Sequence, residues 1–204
     1  MIKKFGLLTL TLALACTFGL FAGVASSASQ NANSGTTQNG NTRSNTNGSM
    51  TLGSSDKKFM MTAAEGGMAE VAMARVALER GSTDAVKQFA QKMIDDHTAN
   101  NQELMQLASS KGVTLPAGPD AKHKAMMEKM SKLSGADFDH QYIMNAGVKD
   151  HEKMLKLLQD ETRKGRDADV KAFATKTIPA VEEHLKMARD MMSGMGHTSM
   201  KSGI

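Results

Sequence analysis

The chain has 204 residues, 25 Lys and Arg against 21 Asp and Glu, no Trp, one Tyr and seven Phe. A formal charge of only +4 and so few rings for base stacking exclude nucleic acid as a natural partner. Methionine is the unusual residue, with 18 copies.

Residues 1–28 read as a signal peptide. Lys3 and Lys4 form a short basic start, Phe5 to Ala22 is apolar apart from Gly and Thr, and small residues follow at Ala25, Ser26 and Ala28. An uncleaved membrane anchor is the alternative, because the apolar run approaches bilayer-spanning length. Cys16, the only cysteine, sits in a loose lipoprotein-like box, Ala13-Leu14-Ala15-Cys16. If Cys16 leaves with the signal, the remaining chain has no thiol for a disulfide or for metal, and packing alone must hold it together. Export to the periplasm or the outer membrane follows from this segment.

Residues 29–55 are Gln, Asn, Ser, Thr and Gly with almost nothing to bury, and predict a disordered polar linker. A domain of about 140 residues then remains, spanning 56–193. Its apolar residues recur at spacings of three and four, without strand alternation. Asp56 is expected to cap a first helix running to Arg80, with Gly81 as its stop. Ser82 to Asp84 cap a second, to about Ser110. Pro116 and Pro119 lie in a crossing segment that carries a short helix over Ala121 to Leu133. A third long helix opens at Gly135 to Asp137 and ends near Gly165. Asp167 caps a fourth, reaching about Ser193, with Pro179 expected to kink it by removing a backbone N–H. Residues 194–204 are expected to form a flexible Met, Gly and Ser tail. Four amphipathic helices with one long second-to-third connection predict an all-α, ferritin-like four-helix bundle. The halves echo one another: Gly81, Val86-Lys87 and Phe89-Ala90 recur as Gly165, Val170-Lys171 and Phe173-Ala174.

Each apolar seam carries one acid or imidazole near its middle. The first runs Phe59, Ala63, Gly66, Glu70, Met73, Ala77. The second runs Val86, Ala90, Met93, His97, Asn100, Leu104. The third runs Met144, Val148, His151, Leu155, Leu158, and the fourth Val170, Ala174, Thr177, Val181, His184, Ala188. Mid-helix positions of antiparallel helices share a level, so Glu70, His97, His151 and His184 are expected to meet. Three neutral imidazoles and a carboxylate suit Cu, Zn or Fe. Asp96, Asp150 and Glu183 each precede a histidine and are secondary candidates, as further ligands or as partners that orient an imidazole. A metal-free polar network that fixes helix register is the competing reading. The usual di-iron pattern of Glu-x-x-His on two helices is missing, which argues against a ferroxidase.

Met126, Met154, Met187 and Met200 each follow a His by three residues, and Met93 and Met144 lie four from His97 and His140. Imidazole beside thioether suits Cu(I), which makes Met154 and Met187 secondary candidates; Met also fills cores as a flexible Leu substitute. No phosphate loop, Cys-x-x-Cys, Gly-x-Ser-x-Gly or His-Glu-x-x-His occurs. Asp139 and Tyr142 are expected to cap and pack the third helix.

The ordered set Glu70-Val71, Phe89-Ala90, Asp96-His97, Leu115-Pro116, Phe138-Asp139, Tyr142, His151, Phe173-Ala174, Pro179 and His184 resembles the domain-of-unknown-function 4142 family over about Lys57 to Met192. The resemblance implies export and a fold similar to the ferritin-like superfamily, and implies no reaction. The sequence therefore predicts an exported envelope protein that binds a transition metal or protects against envelope stress. A metal-free structural or interaction module and a small metal-dependent oxidase are the alternatives. A metal ion, an envelope protein or a membrane surface are the partners this allows, with oligomeric state open.

Overall fold

The computed structural model describes residues 52–201, with side chains as far as Met195. The signal segment, Cys16 and nearly all of the polar linker lie outside the described residues, and the side chains of His197 and Met200 lie outside those described. Among those residues the chain is all helical: α1 (Ser54–Arg80), α2 (Asp84–Ser110), α3 (Ala121–Met130), α4 (Gly135–Tyr142), a π-helical stretch (Ile143–Asp150), α5 (His151–Lys164) and α6 (Ala168–Lys201). None of these helices is long and apolar enough to cross a membrane.

α1 packs along α2 as one hairpin. α4, the π stretch and α5 run on as the third long helix, and α5 and the π stretch pack along α6 as the second hairpin. Two apolar clusters fill the interior. One joins Met73, Phe89, Met93, Phe138, Tyr142 and Ile143; the other joins Phe59, Met60, Leu104, Leu158, Val170 and Phe173. The polar mid-seam residues sit between these clusters.

The two hairpin turns are built alike. Gly81 N–H donates to the Ala77 carbonyl at 2.9 Å, and Gly165 N–H to the Glu161 carbonyl at 2.8 Å. A Cβ on either glycine would lie 2.6 Å from that carbonyl oxygen, so neither turn accepts a larger residue without moving. Thr83 Oγ1 accepts from Val86 N–H at 3.3 Å, and Asp167 Oδ1 from Val170 N–H at 3.1 Å. Both valines are fully buried.

Two acids take roles other than those read from the sequence. Asp56 does not cap α1: Gly53 precedes the helix, and Asp56 lies buried in the first turn. Its carboxylate accepts N–H bonds from Arg166 and Asp167 at 2.9–3.3 Å, in the opposite hairpin's turn. Asp139 does the reverse. Instead of capping its own helix it accepts from Ser82 N–H at 2.9 Å and Ser82 Oγ at 2.6 Å, in the α1–α2 turn. Each hairpin thus holds the other's turn with one buried carboxylate.

Two helix ends and one helix interior also differ from expectation. α3 stops at Met130, and its cap is Asp120, whose carboxylate accepts His123 N–H at 2.8 Å. α6 continues through Pro179 and runs on to Lys201, past the expected end at Ser193. The third helix contains the π stretch, which the sequence did not suggest. A π turn inserts one residue into a helix and shifts every later side chain around the axis. For this reason Met144 and Val148, read as seam residues, are only half-buried, while Ile143, Ala146 and Gly147 face inward.

Candidate metal centre

Four residues were expected to meet, and the structure brings three of them together. His97 on α2, His151 at the start of α5 and His184 on α6 are all buried, and one ring nitrogen from each lies within 4.8 Å of the other two. His97 Nε2 is 3.4 Å from His151 Nε2, and His151 Nε2 is 3.3 Å from His184 Nδ1. The ring centroids are 5.3–5.4 Å apart.

The outward nitrogens decide what the inward ones carry. His151 Nδ1 is 2.8 Å from the Ala146 carbonyl oxygen. A carbonyl only accepts, so Nδ1 holds the proton and Nε2 is left with a lone pair. The same π stretch that re-phases the helix supplies that carbonyl. His184 Nε2 is 2.7 Å from Asp96 Oδ2. Burial alone would raise the Asp96 carboxyl, but hydrogen bonds from His184 and Lys92 outweigh it and hold the group below its ordinary value. Asp96 is therefore a carboxylate, His184 Nε2–H donates to it, and His184 Nδ1 carries a lone pair.

Two lone pairs thus face each other across 3.3 Å, and at most the His97 ring can place a proton among them. Protonating the rings is resisted. Burial pushes all three histidines down, His97 well below its ordinary value and His151 to about 4, and their mutual repulsion pushes His97 and His151 further the same way. Lone pairs that converge in this way call for a donor or a cation between them, and His97 can supply a proton to only one. Two imidazole nitrogens bound at about 2.0–2.1 Å to one tetrahedral ion lie roughly 3.3–3.4 Å apart. The observed spacings of 3.3 and 3.4 Å match that figure.

Glu70 stands apart from the triad. Its Oε1 is 3.8 Å from His151 Nδ1, on the far edge of that ring, and its Oε2 is buried without a hydrogen-bond partner. Burial, then the nearby Asp150, raises its pKa well above the ordinary carboxyl range. Asp150 and Met154 line the same cavity as Glu70, beyond His151 from the triad. Tyr142 is buried with its hydroxyl unpartnered, and burial followed by the Glu70 charge raises its pKa. Glu183 is exposed and pairs with Lys92 at 3.4 Å. Met187 is half-buried and packs against the Met-rich core cluster.

A cleft of about 460 Å³ opens onto the triad between α2 and α6. His97 and His184 form its floor, and Asp96, Asn100, Glu103, Lys176 and Thr177 its walls. Sequence reasoning missed one contributor to the triad, the Ala146 carbonyl. Only an alignment of the two halves of the chain carries a signal for it.

The profile of a domain of unknown function, DUF4142, matches residues 41–191. No curated protein matches the chain significantly. Among solved structures, a DUF305 fragment from Deinococcus radiodurans superposes with a TM-score of 0.62 at 11% identity, covering 70% of this chain and 97% of its own. CopM in its Cu(II)-bound form superposes with a TM-score of 0.59 at 15% identity, covering 68% and 96%. At these identities the likeness establishes a shared helical fold.

Proposed function

We propose that this chain, which belongs to the DUF4142 family, is an exported envelope protein that binds one transition-metal ion through His97 Nε2, His151 Nε2 and His184 Nδ1. The observation that carries this reading is the convergence of three buried imidazole nitrogens, on two of whose rings the opposite edge is fixed as a donor, His151 by the Ala146 carbonyl and His184 by Asp96. Metal-ligating histidines characteristically donate their second N–H to a carbonyl or carboxylate, which fixes the tautomer and strengthens the ligand. An all-imidazole set suits Cu, Zn, Fe or Ni, and the intrinsic order of affinities places Cu(II) first. That one structural neighbour was solved with Cu(II) makes copper the first ion to try.

Three protein ligands leave a position free, and the α2–α6 cleft gives solvent access to it. An exchangeable site fits metal handling or protection against metal stress. The same opening is the feature that favours an oxidase as the second reading. The bundle topology is ferritin-like in this proposal, with α3 in the crossover and the site between the two hairpins. Export rests on the basic-apolar-small pattern of residues 1–28.

Copper and zinc content of the purified mature chain, dialysed against each ion and then against buffer, tests the proposal. At least one ion per chain should remain, and His97→Ala, His151→Ala and His184→Ala should each release one. Retention of the same content by all three variants would overturn it. A metal-free register device would instead show lower stability in the variants and no ion in any of them.

A further inference from the structure

His151 separates two polar compartments. Its Nε2 edge faces the triad; its Nδ1 edge faces Glu70. Around Glu70 lies a cavity of about 270 Å³ that the triad does not use, bounded by Gly66, Asp120, His123, Asp150 and Met154. Its chemistry is unusual for a helical interior. Glu70 is 4% exposed and Asp150 8%, and each keeps one oxygen, Glu70 Oε2 and Asp150 Oδ2, buried with no hydrogen-bond partner. A buried carboxylate oxygen without a donor is costly, and such a group calls for a cation, a proton or water. His123 Nε2 lies 3.7 Å from Asp150 Oδ2, so an imidazole from α3 reaches the same spot. Asp120 caps α3 by accepting the backbone N–H of His123 at 2.8 Å, and the same Oδ1 lies 3.0 Å from the His123 Nδ1.

We infer that Glu70, Asp150 and His123 form a second cation site, separate from the triad, which takes a divalent ion through a mixed oxygen and nitrogen donor set. Two carboxylates and one imidazole are a donor set for Zn(II), Mn(II) or Fe(II), harder than the three imidazoles next door. The free carboxylate oxygens are the ligand atoms. Asp150 Oδ1 is occupied by Lys153 Nζ at 2.7 Å, and that lysine, 56% exposed, neutralises Asp150 when no ion is bound. Among the described residues only the triad already holds three donors within 4.8 Å of one another. The second site must therefore close onto its ion by side-chain rotation, with Lys153 swinging to solvent. Gly66 lets the Met154 methyl close the cavity against α1, since an added Cβ there would meet that methyl at 2.9 Å. The two sites share the His151 ring as a wall and no ligand atom.

The test is Zn(II) stoichiometry of the full mature chain, by equilibrium dialysis with elemental analysis, read together with circular dichroism to confirm folding. The unaltered chain should bind two ions. Glu70→Gln with Asp150→Asn should bind one, and His97→Ala with His184→Ala should keep the other. His123→Gln changes a half-buried residue outside the core clusters and should weaken the second ion about tenfold or more while leaving the first unchanged. Lys153→Met removes the competing ammonium and should tighten it. A single ion in the unaltered chain, kept by the Glu70 and Asp150 variant and lost from the triad variant, would overturn the second site and leave the triad standing. A single ion with the opposite pattern would support the second site and overturn the triad. Loss of both ions on Glu70 and Asp150 substitution in a chain that stays folded would also overturn the inference, because it would make the two sites one.

Discussion

A neutral imidazole has one N–H and one lone pair, and in each of two triad histidines a single neighbour decides which nitrogen carries which. Asp96 is the more testable of those neighbours, because it lies at the cleft edge and its replacement disturbs little packing. Asp96→Asn keeps an acceptor for His184 Nε2–H but removes the charge that raises the basicity of Nδ1. Metal affinity should fall about 10–100-fold without loss of helix content, as partners behind a ligand do elsewhere. Titration calorimetry with Cu(II) reads this directly. Proton competition offers a second residue-level test. The folded-state pKa of His151 is lowered from 6.5 to about 4, so its contribution to stability is complete above the unfolded value and is lost as pH falls through about 4. The stability advantage of the unaltered apoprotein over His151→Gln should therefore shrink on acidification from pH 7 to 4, by about 3 kcal/mol at most. Urea melts at several pH values measure it; an advantage that grows on acidification would contradict the neutral-imidazole assignment. The three histidines were legible in the sequence because each stands alone at a mid-seam position. Glu70 has the same signature and yet faces the far side of His151, because seam position fixes burial and level but not the direction of a side chain within the interior.

At the scale of elements, the π stretch links sequence to site. Up to it, equivalent positions of the two hairpins are offset by 83 residues, as Asp56 and Asp139 or Phe59 and Tyr142 show; beyond it, Gly81 and Gly165 or Phe89 and Phe173 are offset by 84. One residue inserted between Ile143 and Asp150 accounts for the change, and a π turn is what an insertion inside a helix produces. That insertion brings the Ala146 carbonyl to His151 Nδ1. The later half of the repeat was visible as shared Gly, Val, Lys, Phe and Ala; the change of offset shows only when the first halves are aligned as well. Gly147 is where the stretch meets α6: a Cβ there would lie 2.7 Å from Ala188 Cβ and 3.5 Å from the Phe89 ring. Gly147→Ala should therefore cost about 1–3 kcal/mol in stability. It should also weaken metal binding, since Ala188 is one turn from His184 on α6. Thermal melting and metal titration of the variant check both; unchanged values would show that α6 is free to shift.

For the molecule as a whole, the two hairpins are tied at opposite turns by buried carboxylates, and the polar site lies between two apolar clusters. Helix number and order were readable from three- and four-residue periodicity, because each long helix is amphipathic and the first three stop at or next to Gly81, Gly112 and Gly165. The ties were not, because an acid near the start of a helix looks like a cap of its own helix whichever turn it serves. Asp56→Ala should strand the Arg166 and Asp167 amides and destabilise the fold by about 2–4 kcal/mol, with the helix content of the folded state unchanged. The site needs both hairpins, since His97 belongs to the first and His151 and His184 to the second. An ion held by all three should therefore raise the cooperativity and midpoint of unfolding together. The most direct test of the central claim is an anomalous-difference map from crystals of the mature chain grown with Cu(II) or Zn(II). It should show a peak about 2.0–2.1 Å from each of His97 Nε2, His151 Nε2 and His184 Nδ1. A map with no peak among these three nitrogens, at metal concentrations that saturate binding in solution, would contradict it.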